Sequence, residues 1–383
     1  MHRARRWWCR WLTGALVAVT ACSGRDEATL PSTVAPASIT PSPPGSWQSL
    51  VDETFDRSPG VPGIALAVLA PDDEVDVAVA SAGLSPEQPF RIASNTKTFT
   101  AAATLRLVED GVLGLDDPVG EHLSPTLVEV IVGDGYDTTA ITLRHLLQHT
   151  SGLYDYASDV EFQVQVLGEP SRHWSREEQV RLAMAEGDPL GEPGEVYAHS
   201  DTGYVLLGDV IERATGTTLG AAYRDLLRFD ALGLGSTWLE RVEPEPDGVP
   251  DRAPQHYEDQ DMSVADPSFD LFGGGGLVST VGDLARFQRA LLAGEVFDEP
   301  ATLDAMLDVP ATNEADGAAA GLFRSDDPEL GRCWSHSGFW GSFAITCPDE
   351  DLTIALSVFQ ASPDPPFDGA GLIADAVALA RSE

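Results

Sequence analysis

The stretch from Thr98 to Asp110 (Thr-Phe-Thr-Ala-Ala-Ala-Thr-Leu-Arg-Leu-Val-Glu-Asp) is apolar on nearly every side and stops at Gly111. A helix without a polar face has to be buried all round, so the rest of the chain must close over this run. At its start stands Lys97, the only lysine among 23 basic residues, three positions after Ser94. Residues i and i+3 share a helix face, which brings Ser94 Oγ and Lys97 Nζ together above the first turn. Burial penalises an ammonium and favours loss of its proton, whereas arginine in that place would stay charged. The serine also lies at the positive end of the helix dipole, where developing negative charge is favoured. A serine beside a base is the general arrangement of a covalent nucleophile. The same tetrapeptide also opens ordinary helices with a surface lysine, so the rest of the chain has to decide.

The chain is 383 residues long with 43% hydrophobic residues, enough for one large domain or two modest ones. Its net charge of -38 is spread along the sequence, which excludes nucleic acid and anionic membrane surfaces as partners. Residues 1–21 read as a targeting segment, with Arg3, Arg5, Arg6 and Arg10 ahead of a short apolar stretch, Trp11 to Ala21. That stretch is too short to span a bilayer comfortably. It runs into Val19-Thr20-Ala21-Cys22, which resembles the lipobox of bacterial lipoproteins and implies lipidation at Cys22. Residues 22–46, rich in Pro, Ser and Thr, form a linker. With Cys9 leaving in the signal and Cys22 lipidated, Cys333 and Cys347 remain, and in an exported protein they are expected to pair. They flank His336-Ser337-Gly338 symmetrically about Trp340, as two strands of one hairpin would present them.

The folded part begins near Trp47, with a helix over Gln48–Phe55 and a hairpin of Gly63–Ala70 with Val75–Ala80. Thr142 caps a short helix carrying His145 and His149. Their i, i+4 spacing could suit zinc, but Leu146 stands where a zinc protease needs glutamate, and no metal or cofactor is expected. Ser175-Arg-Glu-Glu178 is a capping box opening a helix to Glu186, and a further helix covers about Thr202–Ala214. Glu240–Pro267, acidic and proline-containing, reads as a long surface loop. The four glycines Gly273–Gly276 lack the Gly-Lys-Ser/Thr of a phosphate cradle and are read as a site of close backbone packing before a helix capped by Thr280. Strands are expected around Cys333–Gly338, Ser342–Cys347 and Leu352–Phe359, and a last helix over Gly369–Arg381.

Four ordered motifs resemble the serine β-lactamase and D-Ala-D-Ala peptidase superfamily, in particular its class C β-lactamase-like branch. Ser94-Asn-Thr-Lys97 is similar to the family's Ser-x-x-Lys, and Leu146-Leu-Gln-His-Thr-Ser-Gly-Leu153 to its Leu-Leu-x-His-x-Ser-Gly-Leu. Pro193-Gly194 through Tyr204 resembles the stretch bearing its Tyr-Ser-Asn, and His336-Ser337-Gly338 takes the place of Lys-Thr-Gly or His-x-Gly. The resemblance covers about Trp47 to Arg381. It implies an α+β fold with an antiparallel sheet flanked by helices, built from both ends of a domain over 47–383. A mostly helical subdomain, about 100–270, would be inserted, with the active site in the cleft between the two parts.

Family chemistry would make Ser94 the nucleophile, Lys97 the acceptor of its proton, and the backbone N–H groups of Ser94 and Phe339 the oxyanion hole. His336, as a catalytic residue, and Ser337 would face the substrate and hydrogen-bond its carboxylate or relay protons, with Gly338 and Phe339 also binding substrate. The second motif departs from the family: His199 falls where tyrosine is usual and Asp201 where asparagine is usual. His199 is expected to relay protons and Asp201 to bind substrate. The implied protein is an exported, lipid-anchored, monomeric serine hydrolase, most like a D-Ala-D-Ala carboxypeptidase. β-Lactamase or esterase/amidase activity is the alternative, and a non-catalytic penicillin-binding envelope protein a third. Its partners would be small peptides, β-lactams or esters, cell-wall peptide among them, with the membrane reached only through the lipid. Cys22→Ala should release the protein from the membrane fraction into the medium; unchanged membrane association would mean another anchor.

Overall fold

Residues 46–71, 76–81 and 83–382 are described in the computed structural model, and the targeting segment, the linker and Cys22 lie outside them. The frame is one antiparallel sheet of six strands: β1 (Ala65–Leu69), β2 (Asp76–Ala80), β3 (Phe323–Asp327), β4 (Gly331–Gly338), β5 (Ser342–Cys347) and β6 (Leu352–Ser357). Their spatial order is β2-β1-β6-β5-β4-β3, so the first hairpin docks against the last strand and the chain's two ends build one sheet.

Alternation along the strands divides the core in two. Leu66 and Val68 of β1, with Ile345, Ile354 and Leu356, face helices α1 (Trp47–Asp56) and α5 (Gly369–Ala380). Ala65, Ala67, Ala344 and Ala355 point the other way, and these small residues let helix α4 (Val281–Leu292) lie close to the sheet. Thr280 caps α4 by accepting from the Asp283 N–H at 3.1 Å. Val281, Leu284, Phe287 and Leu291 repeat at helical spacing on its buried face. Helix α2 (Thr96–Glu109) packs on α4 through Phe99 and Phe287, stacked with centroids 3.6 Å apart.

α2 is buried at every position from Thr96 to Leu107, as its composition requires. Its threonines are satisfied inside: Thr98 donates to Gly321 O at 2.8 Å and Thr104 to Thr100 O at 2.9 Å. Between α2 and the glycine run comes a mostly helical region, whose principal element is α3 (Asp201–Thr215).

The short helix expected after Thr142 covers Leu143–Leu147, and the His145 ring closes its capping box. Three local expectations change. His149 lies beyond that helix with φ of 55°, so the two histidines do not share a helical face. The segment from Glu240 to Pro267 is no free surface loop. The buried Arg91 donates to Glu240 and to the Met262 and Ala265 carbonyls, tying the segment down. The edge strand β3 was not foreseen, because Phe323-Arg-Ser-Asp-Asp327 is polar; charge on an exposed edge discourages pairing with other chains.

Cys333 and Cys347 form a disulfide. The β4–β5 register, in which Ser342 faces Gly338 and Thr346 faces Trp334, puts the two cysteines in the next opposed pair. Closing this short loop should contribute about 3 kcal/mol in the chain-entropy model. The Cys333→Ser/Cys347→Ser variant should therefore melt several degrees lower with the same circular dichroism at 20 °C; an unchanged melting temperature would show that the hairpin holds without the crosslink.

Candidate active site

Ser94 sits in a 3-10 turn, Ala93–Asn95, that leads directly into α2. Ala93 has φ of 47°, a conformation that costs energy for an alanine and turns the chain sharply just ahead of the serine. The turn is pinned from both sides. The Asn95 amide donates to Ser342 Oγ at 3.0 Å, Ser342 Oγ donates to Ile92 O at 2.9 Å, and the Ile92 N–H donates to Leu277 O at 3.0 Å. Gly338 completes the contact, since a Cβ there would stand 2.3 Å from Ile92 O.

Lys97 is fully buried. Its Nζ donates to Ser94 Oγ at 2.8 Å and to Gly274 O at 2.8 Å, and forms an ion pair with the Asp201 carboxylate. The glycine run makes this possible. Gly273, with φ of 116°, lies so close to α3 that a Cβ would come within 2.6 Å of Tyr204 O, and the next carbonyl then points at the ammonium. Asp201 is the first residue of α3, and its N–H donates to Asp155 Oδ1 at 3.0 Å. Burial opposes the charge on Asp201, but the Lys97 ammonium, with its hydrogen bond and the nearby histidines His199 and His336, holds the carboxyl below the usual carboxylate range.

His199 stands elsewhere. Its ring stacks on His149 with centroids 4.5 Å apart, its Nδ1 lies 3.6 Å from Asp155 Oδ2, and its side chain is 40% exposed. No hydrogen bond joins it to Ser94 or Lys97 among the described residues, and the acidic partner of the lysine is Asp201 instead. His149 supports the motif from beneath: its Nδ1 accepts from the Ser200 N–H at 3.1 Å. Burial, helped by the charges of His199 and Lys97, pushes its pKa well below the ordinary histidine value.

His336 lies on the face of β4 that looks toward the helical part, opposite Ala344, and is 4% exposed. Its Nδ1 lies 2.8 Å from Ser337 O, so Nδ1 carries the hydrogen and Nε2 is left as a bare acceptor with no described partner. Burial, reinforced by Lys97, pushes its pKa down to about 3, and the ring is neutral at physiological pH. Phe339, half exposed at the hairpin turn, stacks over Tyr257 and packs edge-on against Trp340.

Ser94, Asp201 and Phe339 open into one cavity of about 120 Å³ with Tyr156, Phe162 and Trp340 in its walls. Asp270 also lines it and was missed in the sequence, where it is one acid in an acidic segment. The usable signal was position, immediately before Leu-Phe and the glycine run. Burial pushes the Asp270 carboxyl up to about 7 against the pull of Lys97, with Asp201 adding to the rise. Among the described residues, no lysine or arginine side chain lines this cavity.

Comparison with known proteins gives a consistent picture. The Beta-lactamase family model matches residues 51–378. Penicillin-binding protein 4* of Bacillus subtilis (strain 168) is 30% identical over 67% of this chain and 56% of its own, so the chain spans little more than half that relative. Esterase EstB of Burkholderia gladioli is 31% identical over 70% of this chain and 76% of its own. A D-stereospecific amidohydrolase from Streptomyces sp. superposes with a TM-score of 0.73 at 28% identity, covering 85% of this chain and 96% of the other. D-amino acid amidase from Ochrobactrum anthropi SV3, in complex with L-phenylalanine, superposes at 0.70 and 26% identity, covering 88% and 97%.

The neutral His336 has a consequence for stability. The folded chain keeps it unprotonated down to about pH 3, while an unfolded histidine binds a proton near 6.5. The unfolded state thus binds more protons in that window. Stability from this residue is present above the unfolded pKa and declines as pH falls, by up to about 1.4 kcal/mol per pH unit. His336→Gln should lose less melting temperature than the parent between pH 7 and pH 4.5; an equal loss in both would mean that His336 is not buried neutral.

Proposed function

This chain belongs to the beta-lactamase family of serine hydrolases, and we propose that it hydrolyses small uncharged or cationic amides and esters through an acyl-enzyme on Ser94. The observation that carries the reaction is the hydrogen bond from the buried Lys97 to Ser94. Within the Lys97–Asp201 pair, one proton can move from ammonium to carboxylate, against the pairing that keeps Asp201 ionised at rest, leaving a neutral amine without changing the net charge of the pair. The amine then takes the Ser94 proton as Oγ bonds to the substrate carbonyl carbon, and N–H groups at Ser94 and Phe339 receive the developing oxyanion. Lys97 returns the proton to the leaving nitrogen or oxygen as that bond breaks, and water releases the acyl group by the same steps. Asp201 is thereby a proton store in place of the expected substrate ligand, and His199 acts at most from the rim.

Charge favours the amide or ester reading. A D-Ala-D-Ala peptide and a β-lactam each bring a carboxylate, and this cleft presents Asp201 and Asp270 with a neutral His336 in the third motif. An anion there would meet Asp270 with no unpaired cation to offset it, because the Lys97 ammonium is already taken up by Asp201. The D-Ala-D-Ala carboxypeptidase reading stands second, supported by His336-Ser337-Gly338 and by the likeness to penicillin-binding protein 4*. The Cys333–Cys347 disulfide supports an oxidising, exported setting for either.

A fluorophosphonate probe should label the parent and not Ser94→Ala. Lys97→Arg and Asp201→Asn should each lose about 10²-fold or more in kcat/KM on p-nitrophenyl butyrate, the scale of general acid–base catalysis, and His199→Ala much less. Labelling that survives Ser94→Ala would end the acyl-enzyme reading, and full activity in Asp201→Asn would remove Asp201 from the proton path. Faster turnover of a D-Ala-D-Ala peptide than of its uncharged amide would favour the carboxypeptidase.

A further inference from the structure

We propose that Asp270 is the counter-charge for a substrate ammonium adjacent to the scissile carbonyl, so that the cleft takes amides and esters of apolar amino acids with a free amine. The proposal rests on the acyl-enzyme reading of Ser94 and names the substrate class of that site.

Asp270 ends the 3-10 turn Pro267–Asp270, and its carboxyl lies flat against Gly275, where a Cβ would stand 2.1 Å from Oδ2. The cations nearby are engaged elsewhere. Lys97 pairs with Asp201 and Arg91 with Glu240, and among the described residues no arginine or lysine forms an ion pair with Asp270. A carboxyl in low-dielectric surroundings without a partner is costly as an anion, which is why burial raises its pKa to about 7. A cation delivered by the ligand would remove that cost. A metal ion is the poorer fit, because the described residues hold no group of three or more His, Cys, Asp or Glu side chains able to bind one.

Size and lining define the rest of the ligand. The Asp270 carboxyl lies against Gly275, the residue after the Gly274 whose carbonyl meets Lys97, and it lines the same cavity of about 120 Å³ as Ser94, so its charge faces the space where the scissile carbonyl must sit. An α-amine satisfies that placement. Phe162, Val166 and Trp340 offer apolar surface for a side chain, and the Phe269 and Tyr156 rings can also face an ammonium favourably.

The test compares four methyl esters at pH 7 by pH-stat: D-phenylalanine, L-phenylalanine, N-acetylphenylalanine and 3-phenylpropionate, the last two without a free amine. The parent should favour one phenylalanine enantiomer over both amine-free esters by about ten-fold or more in kcat/KM, the scale of one charge-assisted hydrogen bond. In Asp270→Asn that ratio should collapse to within about two-fold, mainly through KM for the amine ester, and Asp270→Glu should restore part of it. A parent that turns over 3-phenylpropionate methyl ester as well as either phenylalanine ester overturns the proposal, as does a ratio unchanged in Asp270→Asn. The parent comparison stands even if a variant fails to fold. Fluorophosphonate labelling of Ser94 without any amine preference would sink this subsite alone, whereas ester hydrolysis surviving in Ser94→Ala would sink the acyl-enzyme reading beneath it.

Discussion

A fully buried ammonium needs oxygen partners, and meeting that need organises this molecule. Lys97 draws on three chain segments: Ser94 one turn earlier, Asp201 at the start of α3, and the Gly274 carbonyl from the run that returns to the sheet. Removing one member of such a buried pair typically costs about 3–5 kcal/mol, because the remaining charge is stranded. The serine turn, the inserted helices and the glycine run therefore meet at a single nitrogen. The meeting point is also the reactive one, since the nitrogen that must be satisfied is the one in contact with the nucleophile.

The neighbouring rigidity follows from the same demand. Asp201 can serve the ammonium only if α3 starts where it does, and the Asp155 carboxylate fixes that start through the Asp201 N–H. Gly274 O can serve it only if the backbone runs against α3 without a Cβ at Gly273. On the far side, the Asn95–Ser342–Ile92 contacts hold the serine turn against β4 and β5. The disulfide across those two strands braces the hairpin whose turn carries Phe339.

Where a residue's job is local, the sequence made it legible. The Ser94–Lys97 spacing, the Thr280 cap, the Ser175–Glu178 box and the symmetric cysteines each encode a short-range geometry that the structure contains. Jobs set by tertiary neighbours stayed hidden. His199 carried a family position, yet stacking on His149 and the nearby Asp155 hold its ring at the rim, and the contact with Lys97 falls to a residue two places on. Glu240–Pro267 looked solvent-exposed because it is acidic, and only the buried Arg91 on a distant strand shows why part of it is not. Asp270 was obscure for the opposite reason: among 61 acids, only its place just ahead of Leu-Phe and the glycine run sets apart the one that a glycine lets into the cleft.

The electrostatics of the site and of the whole chain point the same way. A net charge of -38 gives a field that concentrates cations near the surface and repels anions, with a range set by salt. In the cleft the family asparagine has become Asp201 and the third motif carries a neutral histidine, so no fixed positive charge awaits a substrate carboxylate. Asp201 spends its charge on Lys97 and so leaves the pair neutral as a unit, which makes Asp270 the one carboxyl in the cavity whose charge remains to be matched. A cationic substrate would be drawn by the outer field, relieved of its own desolvation by Asp270, and delivered to a nucleophile whose base returns to the same net charge after each proton transfer. The acidity of the chain, which by itself speaks only of solubility, then becomes part of how the cleft selects.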